Sequence, residues 1–456
     1  MKSTILLIVA LTAWMLSIAL AVAQSTQTGY FTDGYLYRHT MNPAIGNTKN
    51  YVSLPALGNS NISFRGNLAL SDVLYQVNGK TATFLHPNLS SAEVLKNIKD
   101  KNQLGLNASL QVLSAGFKAF DGYNTIGINL RSNMHVTLPG ELFRLAKEGV
   151  ANKTYDISHF NTHAKAYAEV ALGHSHQINE QLHVGATLKV LIGGGNIDAQ
   201  FNKAQLALGE DQWTITSDAL IEANVKGLTY QTDINEDTNN SYVSGADVDG
   251  AGLNGWGFAL DLGAVYQLTD DWSLSASIID LGFINWKNNM LATTNGEKTF
   301  STDEYTFNID DDQDNNFDDE LDRMTNALSS LYELEDKGDQ GTISKAIGTT
   351  INLGASYTLP TYQQLKIGLL NTTHFQKNFT WTDLRASANW SPCNFFSTSV
   401  SAAVGTFGGS MGWMLNLHPK GFNLYLAMDK ITGKLSKQYI PLSGAGTVHV
   451  GLNIPF

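Results

Sequence analysis

A single cysteine, Cys393, stands in the 456 residues, so no disulfide can form within the chain. Charged residues make up only 15%, where soluble globular domains carry about 25%. The chain is therefore short of the side chains that coat an ordinary soluble surface. Proline is sparse at 9 residues, so regular structure is seldom interrupted. Positive charge is also short: the net charge of −12 argues against a nucleic-acid partner. Beyond Gln24 no window offers the run of about eighteen apolar residues that a membrane-spanning helix needs. Nucleophile elbows, H-E-x-x-H and phosphate-binding loops are missing too, which removes the commonest hydrolase and nucleotide-binding signatures.

The long apolar run that does occur lies at the start. Met1-Lys2 is basic, Ile5 to Leu20 is apolar apart from Thr12 and Ser17, and Ala21-Val22-Ala23 precedes Gln24. This order reads as a secretory signal cleaved near Ala23. An uncleaved anchor is the other reading, because the run is nearly long enough to span a bilayer.

What the sequence has in quantity is alternation. Val448, Val450, Leu452, Ile454 and Phe456 share one parity, while Thr447, His449, Gly451 and Asn453 share the other. Only a strand repeats every two residues, so this is a strand with an oily face and a small polar face. The same period recurs at 123–138, 164–176 and 182–192. Weaker copies cover 104–119, 197–208, 212–230, 255–267, 272–285, 347–359, 364–372, 381–390, 395–404, 410–417 and 422–430. Tight polar turns fall near Asp121-Gly122, Asn179-Glu180, Gly209–Asp211, Thr269–Asp271, Pro360–Gln363, Ser391–Asn394 and His418–Gly421, flanked by residues such as Tyr266, Trp272, Trp390 and Phe395. Longer connections occupy 139–162, 231–254, 286–346 and 431–446. Short turns at one rim, long loops at the other and aromatic girdles between define an all-β fold, a transmembrane antiparallel β-barrel of about 14–16 strands. A soluble β-sandwich also alternates, but it accounts for neither the leader nor the shortage of charge.

The expected organisation is a signal peptide at 1–23, an N-terminal segment at 24–60 that is a candidate lumen plug, and the barrel at 61–456. Outer-membrane lipid would cover the oily face, and the closing strand ending in Phe456 would be read by the barrel-assembly machinery. Ser90-Ser91-Ala92-Glu93 resembles a capping box for a short helix, and Pro139 to Val150 looks like a second one. The long 286–346 loop, expected outside the cell, is strongly acidic. Asp310, Asp312 and Asp314 copy the start of a calcium loop, but Asn315 and Leu321 stand where such a loop needs Gly and Glu. A solvated acidic loop with at most weak Ca²⁺ binding fits that departure. Leu321, Met324, Leu328, Leu331 and Leu334 continue at helical spacing. His174 and His176 share a strand face beside a turn, and Gly193–Gly195 reads as a flexible loop.

By parity, Arg131, Lys165, Glu169, Lys189, Asp261, Asp383 and Arg385 face the lumen. On the lipid face each Arg or Lys would cost about 2–4 kcal/mol at mid-membrane. These residues are candidate ligands for an anionic group such as a carboxylate, or a structural ion-pair network. No cofactor is implied.

Met41-Asn42-Pro43-Ala44, Val52–Asn59, Leu138–Leu142, Ala171–Ser175 and Val184–Lys189, in this order, resemble an outer-membrane barrel family of Bacteroidota described as a domain of unknown function. That family is distantly similar to FadL-type transporters of hydrophobic compounds and to barrels of the gliding and type IX secretion machinery. The resemblance implies location and fold, and it suggests that 24–60 acts as a hatch. It leaves three readings: passive transport or binding of small hydrophobic or amphipathic molecules, an interaction scaffold for a surface or secretion complex, and a barrel lipase. No signature supports the lipase, so no enzyme activity is expected.

Overall fold

Strands that alternate oily and polar residues must pair along both edges, because an unpaired peptide group in hydrocarbon costs several kcal/mol. The chain meets this demand by closure. The computed structural model describes residues 26–456 apart from 79, 150, 210–211, 236–238, 251, 303–316 and 432–445. Fourteen antiparallel strands form the barrel. They are β1 (Tyr51–Ser53 and Ser60–Gly66), β2 (Lys101–Ala119), β3 (Gly122–Pro139), β4 (Asn161–Gln177), β5 (Leu182–Leu208), β6 (Gly255–Gln267), β7 (Trp272–Trp286), β8 (Ile343–Ala346 and Thr349–Thr358), β9 (Leu365–Phe375), β10 (Trp381–Cys393), β11 (Phe396–Gly405), β12 (Gly408–Leu417), β13 (Asn423–Ile431) and β14 (Gly446–Pro455). The seam joins β14 to β1, with Ser60 opposite Val450 and Tyr51 opposite Pro455.

Outward positions are exposed and apolar on every strand, from Phe64 on β1 through Leu188 on β5 and Leu353 on β8 to Val450 on β14. Inward positions are buried and polar, as in Ser387, Asn389, Ser399 and Asn416. This is a globular protein turned inside out, and a water-facing exterior does not fit it. Tyr266, Trp272, Trp390 and Phe395 stay exposed at the short-turn rim. One of the two-residue turns there, Phe120-Asp121, holds both residues at positive φ, 57° and 54°, which matches the twist of a two-residue hairpin.

Two expected wall strands belong elsewhere. Residues 197–208 are the upper part of β5, and Trp213–Val225 pairs with it above the barrel; β6, not this strand, pairs with the lower part of β5. Asn289–Thr293, Lys298–Ser301 and Glu335–Asp339 complete a sheet extension, and the hairpin Leu228–Asn235/Asn240–Val248 folds over it. Ile197, Ile221, Val225, Tyr230 and Leu334 form its core. Alternation reports an apolar face, not what covers it, so lipid-facing and hairpin-covered strands read alike. The turn at Gly209 accordingly lies at the tip of the extension, away from the short-turn rim. Residues 410–417 are true wall, as part of β12. Gly193–Gly195 continue β5, with a bulge opposite Ala166 and Tyr167, and are not a loop.

Among the described residues three α-helices decorate the long-loop rim: α1 (Ser91–Leu95), α2 (Gly140–Glu148) and α3 (Phe317–Ser330). Ser90 Oγ accepts from Glu93 N at 3.2 Å, the expected cap. Helix α3 ends before Leu331 and Leu334, which turn into the extension and are buried.

Candidate functional site

The inward charges gather on two arcs of the wall. On the first, β3 to β7 present Arg131, Glu169, Lys189, Asp261 and Asp280 at one level. Arg131 donates to both oxygens of Asp280, at 2.9 and 2.7 Å, and to Glu169 at 2.8 Å. Lys189 Nζ lies 2.6 Å from Asp280 and 2.7 Å from Asp261. Asp261 also accepts the backbone N–H of Asp280 at 2.7 Å. Asp280 has a φ of 62° and sits in a bulge where the β6–β7 register shifts. An unbroken alternation from Trp272 would point it at lipid; the bulge turns it inward. Sequence parity therefore could not assign it, although it is the hub of the arc.

The second arc joins β1, β10, β13 and β14. Arg65 pairs with Asp383 at 2.5 Å and lies 3.5 Å over the Trp381 ring. Lys430 Nζ is 3.6 Å from the same carboxylate. Arg385 donates to Ser401 at 2.7 Å and to the Asp429 carbonyl at 3.2 Å. His449 Nε2 is 3.3 Å from Asp429 Oδ2. A bulge again does the placing: Asp429 and Lys430 are adjacent, yet both are buried, and their N–H groups donate to Thr447 Oγ1.

Residues 26–48 hydrogen-bond to the inward faces of the strands. Thr26 Oγ1, Gln27 N and Thr28 N all donate to Asp429 at 2.8 Å. Met41 O accepts from Ser277 and Asn352, and Asn42 Nδ2 donates to the Ala264 carbonyl. The wall makes room with glycine. A Cβ at Gly263 would strike Asn42, one at Gly185 would strike Pro43, and one at Gly368 would strike Phe31. Tyr30, Tyr35, Tyr37 and Met41 pack with the wall residues Tyr51, Tyr123 and Tyr425. Burial raises the phenol pKa of Tyr30, Tyr35 and Tyr37, so these hydroxyls remain donors. Burial likewise lowers the His39 pKa to about 4.

Between the two arcs and this segment lies a cavity of about 130 Å³. Arg131, Glu169, Lys189 and Asp280 line one side, Arg65, Ser63, Gln111 and His449 another, and His39 and Met41 the segment's side.

The sequence matches one protein family over residues 43–429. The chain belongs to DUF5723, a family of unknown function. No curated protein matches it. Among solved structures it is similar to the toluene transporter TodX of Pseudomonas putida, at 10% identity and a TM-score of 0.39, with 91% of each chain covered. A FadL homologue of Pseudomonas aeruginosa matches at 10% identity and a TM-score of 0.40, covering 96% of this chain and 99% of that one. The toluene transporter TbuX of Ralstonia pickettii matches at 9% and 0.38, over 91% and 90%.

Of the expected lumen residues, Arg131, Glu169, Lys189 and Asp261 come together, while Asp383 and Arg385 stand on the other arc. Lys165 does not join the ion pairs; its Nζ donates to the Ile347 carbonyl at 2.6 Å. Asp310, Asp312 and Asp314 lie outside the described residues. Among the described residues no group of three or more His, Cys, Asp or Glu is placed to hold a metal. Arg65, Asp280, Asp429 and Lys430 were not expected, and the sequence pattern places His449 on the polar face of the closing strand without giving it a role. Arg65 escaped because β1 is split by Leu54–Asn59 and alternates too briefly to be delimited.

Proposed function

We propose that this chain is an outer-membrane barrel that binds small amphipathic or hydrophobic molecules in its lumen and lets them pass when residues 26–48 move. The observation that carries the reading is how that segment is held. It forms no strand of the wall, and it is fixed by side-chain hydrogen bonds and by ring packing into glycine-made hollows. Such contacts are separable without breaking a β-ladder. Its departure would uncover Tyr51, Tyr123 and Tyr425 beside the ionised cavity, an aromatic wall next to a charged one. An amphipathic solute matches both. The short-turn rim then faces the periplasm and the sheet extension faces outward.

Deleting residues 26–48, which leaves β1 intact, tests this. Liposomes carrying the deletion should take up benzenesulfonate faster than those carrying the full chain. Equal uptake of benzenesulfonate and of glucose by the two proteins rejects the mechanism.

One observation favours a second reading, an interaction scaffold: the extension has a core of its own, including Ile197, Ile221, Tyr230 and Leu334. A mild-detergent pull-down that recovers no stoichiometric partner would count against it.

A further inference from the structure

The two arcs differ in what they leave unpaired. On the first, every carboxylate oxygen of Asp261, Asp280 and Glu169 has a donor, since Asn129 takes the remaining Glu169 oxygen at 3.0 Å. On the second, among the described residues, three cations, Arg65, Arg385 and Lys430, stand beside two carboxylates, Asp383 and Asp429, and Arg385 reaches Asp429 only at its main-chain carbonyl. Asp429 is already held by Thr26, Gln27 and Thr28. The first arc has the opposite balance, three carboxylates to two cations, so the second is the side of the cavity where an anion would meet positive charge.

The same arc holds unpartnered polar atoms where it meets the cavity. Arg65 Nε, His449 Nδ1 and Ser63 Oγ, and on neighbouring β2 the acceptor Gln111 Oε1, are buried and have no hydrogen-bond partner among the described residues. Their residues are 1–3% exposed, and all four line the cavity. Guanidinium, imidazole and hydroxyl donors around a small space are the equipment of an oxyanion site. We infer that the Arg65–His449 side of the lumen binds a small oxyanion, with Arg65 and His449 donating to it and Ser63 completing the shell. The anion ligands expected on the first arc, Arg131 and Lys189, have their charge satisfied by protein and are not part of the site. The inference rests on the lumen being a binding space and not on passage through it.

The test is calorimetric titration of the full-length protein in detergent with sodium phosphate and, separately, sodium acetate, both in a chloride background. One saturable site for either anion is expected. Stronger phosphate binding assigns a tetrahedral oxyanion, and stronger acetate binding assigns a carboxylate. Arg65→Gln should weaken it about tenfold or more, the loss of one charge-assisted hydrogen bond. Because that variant strands Asp383, Ser63→Asp serves as the second. It places a carboxylate in the cavity, so it should abolish phosphate binding and raise the temperature of the heat-dependent gel shift in chloride. Absence of saturable binding to the wild type overturns the site, and so does unaltered phosphate binding by Ser63→Asp. Uptake that ignores the 26–48 deletion while phosphate still binds rejects passage and leaves this site standing.

Discussion

Two arcs of one barrel wall, a few strands apart, handle buried charge in opposite ways. The Arg131 arc is closed on itself: Lys189 bridges Asp261 and Asp280, and Arg131 forks onto Asp280 while reaching Glu169. The Arg65 arc holds more cations than carboxylates and turns donors toward the cavity. The lesson is that an inward charge in a barrel is weak evidence for a ligand site. What distinguishes a site from a brace is whether the protein's own groups exhaust the donors and acceptors.

The comparison breaks most visibly at the two lysines. Lys189→Met should destabilise the barrel by about 3–5 kcal/mol, because it leaves Asp261 and Asp280 uncompensated in a buried setting. Lys430→Met should cost under about 1 kcal/mol, since Lys430 is 3.6 Å from a carboxylate that keeps Arg65, and it is repelled by Arg65 and Arg385. Urea unfolding in detergent measures both, and equal losses would erase the distinction between the arcs. Next in size is Gly263→Val. The new side chain meets Asn42, so residues 26–48 should be displaced at a cost of about 1–3 kcal/mol and become sensitive to added protease. An unchanged cleavage pattern would show that the hollow is not what seats the segment. Smallest is a pH effect from His39. Its folded pKa is lowered to about 4 by burial, with a contribution from Lys189. A depressed pKa means that the detached segment binds the proton more readily. Its contribution to docking is complete above the ordinary value near 6.5 and is lost as pH falls toward 4. Protease release of the segment should therefore increase between pH 7 and pH 5, and His39→Asn should flatten that dependence.

Much of the wall was legible because a strand's parity is strict. β3, β4 and the lower part of β5 were read from Ile126, Val170 and Leu188 and their neighbours, and the same parity put Arg131, Glu169, Lys189, Asp261, Asp383 and Arg385 inside. Parity failed where a bulge resets it, which hid Asp280, Asp429 and Lys430. It misled where an apolar face is covered by protein: residues 212–230 carry the same signal as wall yet lie in the extension and its hairpin. Asn42-Pro43 stands out in the sequence as part of a motif, but no local pattern indicates that Gly185 and Gly263, more than 140 residues away, are its socket.

The sequence by itself determined that this chain is a closed antiparallel barrel with an oily outside and a polar inside. Period-two alternation, few charges and no long apolar run beyond Gln24 favour a closed sheet, which pairs every strand edge. Only the tertiary structure decided that there are fourteen strands, which cations are neutralised, and where unpaired donors meet a cavity. Those outcomes depend on register, bulges and contacts between strands far apart in the chain, and a local pattern carries no information about any of them.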